Sequence, residues 1–219
     1  MKKRKKLLLI LLLIIAALGV FAYWQRDNLN ILLQAGKYTT QELETKMDEN
    51  QRSLQDAVDS RPGVAIREPT EEEIVALKNG LIAPEELAKS LVEAQEPADA
   101  LSADLSALIA RVLLLQKLYV GKLEGLEAEA KAEYRGLSES QRAELKLVEW
   151  ASGYIKRATE MEKQCDIQID GVVAEMLELI GEYDGDTEIA DKVVYSYAEE
   201  KRLKKAWYLS RLEERGLLG

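Results

Sequence analysis

The chain of 219 residues is 47% apolar and 32% charged, with 13 Gly, 4 Pro, one Cys and no His. That composition supports a packed core, and the length allows one ordinary helical domain with an appendage but not two full-sized domains. With no histidine there is no His-dependent triad, no His metal site and no imidazole general base; a lone cysteine excludes an intrachain disulfide, a CxxC redox pair and a thiolate zinc cage.

Residues 1–6 form a basic leader, with Lys2-Lys3-Arg4-Lys5-Lys6 ahead of an apolar stretch from Leu7 to Trp24. Eighteen residues at helical rise cover about 27 Å, enough to cross a hydrocarbon core with little tilt. Tyr23 and Trp24 stand where an interfacial aromatic belt would place them, and the basic leader puts the N-terminus in the cytoplasm by the positive-inside rule. The expectation is a single-pass signal anchor at the cell membrane, residues 7–24 in the lipid bilayer and the C-terminal domain extracytoplasmic. A cleaved signal peptide has the same layout, with Val20-Phe21-Ala22 as its cleavage site and a secreted protein as its product. Bulky Tyr23 and Trp24, and a span long for a signal core, favour the uncleaved anchor. Beyond residue 25 lie all 39 acidic residues and 25 basic ones, the 30 of the chain less the 5 of the leader, for a net charge of −14. Such a domain repels polyanions on average, so no nucleic-acid partner is expected.

The rest of the chain reads as helix. Residues 25–60 form a juxtamembrane stalk in which Leu43, Met47, Leu54 and Val58 recur at coiled-coil spacing from Thr39 to Ser60; Asn50 and Gln51 interrupt the seam. Arg61-Pro62-Gly63 breaks it, and Val64-Ala65-Ile66 is the one short extended segment. Residues 61–97 follow as a two-helix unit. Its first helix opens on the capping box Thr70/Glu73 and stops at Gly80. The second starts at Pro84, carries Leu87, Leu91 and Val92 on one face, and closes at Pro97.

Residues 98–219 carry three long amphipathic helices. The first has a seam at Leu101, Leu105, Leu108, Val112, Leu115 and Tyr119, which slips through Leu123, Leu126 and Ala130 before Gly136. Ser138 and Gln141 cap the second, with Leu145, Val148, Ile155, Cys165, Ile169, Val172, Met176, Ile180 and Tyr183 on its seam; whether it runs through or bends near Gly153 or Gly171 stays open. After the turn at Asp184–Thr187, the third carries Ile189, Val193, Tyr197, Leu203 and Trp207. Helices with short connections bury their stripes only against one another, so the expected fold is all-α, an elongated antiparallel helical bundle or coiled-coil hairpin. Heptads are equally compatible with closure inside one chain and between two, so a homo-oligomer stays open.

No motif assigns catalysis, a cofactor or a metal. The acidic clusters Glu71–Glu73, Glu85–Glu86 and Asp186–Glu188 fall at helix starts, where the macrodipole favours negative charge. Asp184, Asp186 and Glu188 open like a calcium loop, but Ile189 and Tyr195 replace the glycine and the final glutamate it needs. Cys165 is in phase with Ile169 and Val172, as a buried small hydrophobe is. Gly121 and Gly125 lie four apart in an aqueous helix and mark close packing or a kink. Neither a Walker A motif nor a GxGxxG fingerprint occurs.

The strongest functional lead is the run Lys201–Leu212, in which Lys201, Arg202, Lys204, Lys205 and Arg211 meet no acidic residue and are joined by Trp207 and Tyr208. These seven residues form a candidate binding patch for an anionic envelope polymer, lipid surface or acidic partner. The plainer reading is a cationic helix end that complements its own dipole, with Glu200 and Lys204 as an i,i+4 pair. The sequence as a whole points to a non-enzymatic, membrane-anchored scaffold or protein-interaction module with an envelope or membrane protein as its partner. Polymer or lipid binding through the basic helix is the alternative.

Overall fold

The computed structural model describes residues 36–61, 63–93, 100–145 and 147–214. Its helices are α1 (Thr40–Asp59), α2 (Glu71–Lys78), α3 (Pro84–Leu91), α4 (Ala100–Gly136), α5 (Glu139–Glu144), α6 (Leu147–Glu182) and α7 (Glu188–Glu214). Among the described residues there is no strand, and the fold is all-α. No helix among them is long and apolar enough to cross a membrane; the expected span at residues 7–24 lies outside the described residues, as do the leader and residues 25–35 of the stalk. The described chain falls into two compact units, residues 36–53 with 195–214, and residues 54–194.

Helix starts follow local chemistry. At α2 the Thr70 hydroxyl accepts the Glu73 N–H at 3.3 Å while the Glu73 carboxylate accepts the Thr70 N–H at 2.8 Å. Ser138 and Gln141 repeat this reciprocal pair at α5. A third box opens α1, where the Glu42 carboxylate accepts the Thr39 N–H at 2.8 Å and the Thr39 hydroxyl accepts the Glu42 N–H at 3.2 Å. Each satisfies backbone donors that a helix terminus leaves open. Helix ends are as local. Gly80, at φ 69°, donates to the Leu77 carbonyl, and Leu81 donates to that of Ala76, closing α2 in a Schellman turn.

In the larger unit, α4 and α6 run antiparallel side by side. Arg111 of α4 reaches Glu175 of α6 at 2.9 Å, and Arg157 of α6 reaches Glu129 of α4 at 2.7 Å, so an advance of eighteen residues on one helix matches a retreat of eighteen on the other. On α6, Cys165, Ile169, Val172, Met176 and Ile180 are buried as expected. Ile155, expected on the same line, is 62% exposed. Counting back from Cys165 at 4-3-4 spacing reaches Met161, Ala158 and Tyr154, all partly buried, so the seam passes one residue before Ile155. Tyr183 also falls off the seam, because α6 closes just before it. Gly185 donates to the Ile180 carbonyl at 2.8 Å, and the left-handed position falls on Asp184, at φ 49°. The helix expected to run from Ser138 is instead two, α5 ending at Glu144 and α6 starting at Leu147, and Gly153 and Gly171 lie inside α6.

Helix α4 is buried on two faces. Leu105, Val112, Leu115 and Leu126 follow the expected seam. Ala110 and Leu114, half a turn away, join Leu77 of α2 and Leu87, Ala88 and Leu91 of α3 in one apolar cluster, flanked by Ile66, Ile74, Ile82 and Leu118. The segment after α1 is extended as expected: Ile66 bridges Val92, with Arg67 donating its N–H to the Leu91 carbonyl at 2.9 Å and Glu93 donating to Ala65 at 3.0 Å. Arg67 also pairs through both terminal nitrogens with Glu73, at 2.7 and 2.8 Å, so one carboxylate caps α2 and holds the extended segment.

Candidate functional site

The candidate basic residues lie in the smaller unit. The third long helix, expected to bundle with the other two, packs from Tyr195 onward against α1. Leu43 and Met47 of α1 meet Leu203 and Ala206 of α7 in one buried cluster, with Tyr38 and Trp207 at its edge. The pairing is antiparallel. Trp207 donates its indole N–H to the Glu44 carboxylate at 2.9 Å, while Asn50, further along α1, reaches back to Ser196.

All seven candidate residues are partly buried, and their side chains engage neighbours. Lys201 Nζ lies 5.4 Å from the centre of the Tyr197 ring. Arg202 forms an ion pair with Glu199. Lys204 Nζ stands 4.9 Å from the Trp207 ring and 5.9 Å from that of Tyr208, and the Arg211 guanidinium lies 4.4 Å from Trp207. Lys205 is half-buried beside them. On the facing helix, Lys37 and Lys46 approach the Tyr38 ring at 5.1 and 4.6 Å. Cation–π contacts fix these stems along aromatic faces without neutralising their charge. The arrangement is therefore two sets of cations held on aromatic rings, one around Tyr38 just before α1 and one around Trp207 and Tyr208 on α7.

A polar node closes the other end of the same pair. Asn50 Nδ2 donates to the Ser196 carbonyl at 2.9 Å, to its hydroxyl at 3.2 Å and to the Glu200 carboxylate at 3.5 Å. Burial pushes the Glu200 carboxyl above its ordinary range, with the Asn50 donor pulling the other way. Glu200 thus meets α1 as well as feeling the charge of Lys204, its expected i,i+4 partner. The interruption of the α1 seam at Asn50 is a cross-helix contact, the device by which a polar residue in a helix seam specifies register.

A second cluster, at the end of the α4–α6 pair nearest α5, escaped sequence reasoning. Glu133 accepts the Trp150 indole N–H at 3.0 Å and the Tyr154 hydroxyl. The Trp150 ring lies 6.0 Å from Tyr134 and 5.1 Å from Tyr154, and Arg157, paired with Glu129, stands 5.5 Å from the Tyr154 ring. The carboxylate of Glu133 holds the Tyr154 phenol up at about 12, because its hydrogen bond favours the protonated form. Trp150 and Tyr154 show the i,i+4 spacing of one helix face, but their partners 17 and 21 residues away on α4 were not legible.

The remaining sequence candidates take part in local contacts. Glu85 pairs with Lys89 at 3.1 Å, and Asp186 accepts the Glu188 N–H at 2.9 Å as α7 begins. Among the described residues no group of three or more Cys, Asp or Glu is placed to hold a metal ion. Cys165 is buried. Gly121 marks close packing, since a Cβ there would stand 2.6 Å from Lys78 Cε, whereas Gly125 faces open space. Comparison of the chain with protein-family models, with curated proteins and with solved structures finds no match.

Proposed function

We propose that the protein is a non-enzymatic helical module, held at the membrane by residues 7–24, that presents the α4–α6 pair to a protein partner outside the cell membrane. The observation that carries this reading is the outward face of α6. Ile167, 71% exposed, stands opposite the buried line of Cys165, Ile169, Val172 and Met176. Gly171 and Ala174 continue its line, and Leu177, 43% exposed, borders it. A helix that already buries one stripe and keeps large apolar side chains on the opposite side has surface to offer a partner. An anchor would raise the effective concentration of that surface near other membrane proteins, so a modest interface suffices.

The test is photocrosslinking in cells with the full chain, with the reactive residue placed at Ile155, Ile167 or Leu177, and at exposed Asp59 as the control. A single protein adduct at the α6 positions, absent at Asp59, is the expected result. Self-adducts alone would replace the partner with a second copy of the chain, and the absence of adducts at all three positions would refute the reading. Alkaline extraction of the same membranes tests the anchor: a protein that leaves the membrane fraction is peripheral or secreted.

A further inference from the structure

The antiparallel packing of α1 against α7 sorts charge along the pair. The half formed by residues 37–47 and 201–214 holds Lys37, Lys46 and the five cations of the C-terminal run against Glu42, Glu44, Glu213 and Glu214, a net +3. In the other half, residues 48–53 and 195–200, Asp48, Glu49, Glu199 and Glu200 outnumber Arg52, a net −3. The excess comes from α7, since Lys37 and Lys46 are offset by Glu42 and Glu44, and the packing of Leu43 and Met47 on Leu203 and Ala206 sets the C-terminal cations beside the start of α1. Tyr38, Trp207 and Tyr208 lie within the same half.

We infer that this half is a docking face for anionic lipid headgroups. Lys and Arg stems lying along Trp and Tyr rings suit a membrane interface, where one end of each side chain is apolar and the other wet. The occupant follows from chain order: Lys37 comes only thirteen residues after Trp24, the end of the apolar run. Thirteen residues reach at most about 45 Å when fully extended, so a bilayer holding residues 7–24 lies within reach of the cationic half. The inference rests on the proposed anchor for proximity, and the docking face adds a headgroup preference that an anchor lacks. Each Lys or Arg near an anionic surface strengthens attachment about fivefold.

The experiment uses the full chain in lipid nanodiscs, with Trp24→Phe and Trp150→Phe leaving Trp207 as the reporter and a spin-labelled headgroup as the quencher. Trp207 fluorescence is expected to be quenched in phosphatidylglycerol discs and not in phosphatidylcholine discs. The quenching should be lost in about 1 M NaCl, where the screening length is about 3 Å. Lys204→Glu with Lys205→Glu should abolish it, a loss of at least about thirtyfold in surface attachment. The salt series on the unreversed protein decides the matter should the double reversal disturb the helix pair. Equal quenching in both lipids, or none in phosphatidylglycerol, overturns the docking face. So does capture by long-chain polyphosphate without headgroup quenching, which would assign the cations to an anionic polymer. Flotation with phosphatidylcholine vesicles scores the anchor separately, since a span floats whatever the headgroup.

Discussion

Leu114→Ala tests whether α4 is a two-faced helix. The expected heptad seam passes over Leu114, and a one-faced helix would leave it on the solvent side, where truncation costs within about 0.5 kcal/mol. Leu114 is instead 1% exposed and shares a cluster with Leu77, Leu87, Ala88 and Leu91. Truncation removes three buried carbons, about 2.4 kcal/mol of transfer free energy at about 0.8 kcal/mol per carbon, and the residual cavity brings the expected loss to about 3 kcal/mol. The α2–α3 unit is short, with two helices of eight residues each, so partial collapse around the cavity sets a floor near 2 kcal/mol. The assay is urea unfolding of the full chain in detergent, followed by far-ultraviolet circular dichroism, with Ile167→Ala as the exposed control. A lower midpoint at unchanged slope reports the loss of stability. A loss below about 1 kcal/mol for Leu114→Ala, or one matched by Ile167→Ala, would refute the two-faced packing.

Gly125→Ala and Gly171→Ala should each stabilise the protein by about 0.5–1 kcal/mol, because both lie inside helices with nothing within 4 Å of an added Cβ. Gly121→Ala should gain less, since Lys78 must move aside; thermal unfolding ranks the three. The Arg67 guanidinium and the Thr70 amide hold the Glu73 carboxyl at about 2, below its ordinary value of 4.5. Its folded-state value is depressed, so its contribution is complete above about pH 4.5 and is lost as pH falls toward 2; Glu73→Gln should lower stability at neutral pH and flatten that acid limb. Glu200 runs the other way: its raised value makes its contribution fall as pH rises out of the carboxylate range, and Glu200→Gln should remove that slope from the urea midpoint. Ultraviolet titration should find Tyr154 ionising at about 12, and Glu133→Gln should return it toward 10.

What was legible in the sequence was what a few neighbouring residues decide. Thr70 with Glu73 and Ser138 with Gln141 satisfy their own helix starts, Gly80 supplies its own left-handed turn, and Val64–Ile66 is extended between a Pro-Gly break and a capping box. The box at Thr39 and Glu42 obeys the same rule. Where the seam was strict, from Cys165 to Ile180, burial followed it. Where it weakened, apolarity misled, and Ile155 took the place that spacing assigns to Tyr154 and Ala158.

The tertiary structure decided which stripe meets which. A heptad line states that a helix has an apolar face but carries no label for its partner, because dispersion and apolar burial are non-directional. The expected seam on α4 therefore ran through Leu105, Leu108, Val112 and Leu115 alone, and only the packing of α2 and α3 gives Ala110 and Leu114 a second buried side. The last helix likewise read as the third member of a bundle, and it packs from Tyr195 on against α1, whose Asn50 reaches Ser196 and Glu200. Local chemistry by itself determined that the described residues are helical and where most of their helices begin and end, the division between Glu144 and Leu147 excepted. That Tyr38, with Lys37 and Lys46 over its ring, packs on the same apolar cluster as Trp207, with Lys204 and Arg211 over its ring, could come only from the fold, because packing alone joins residues that the chain separates by some 170 positions.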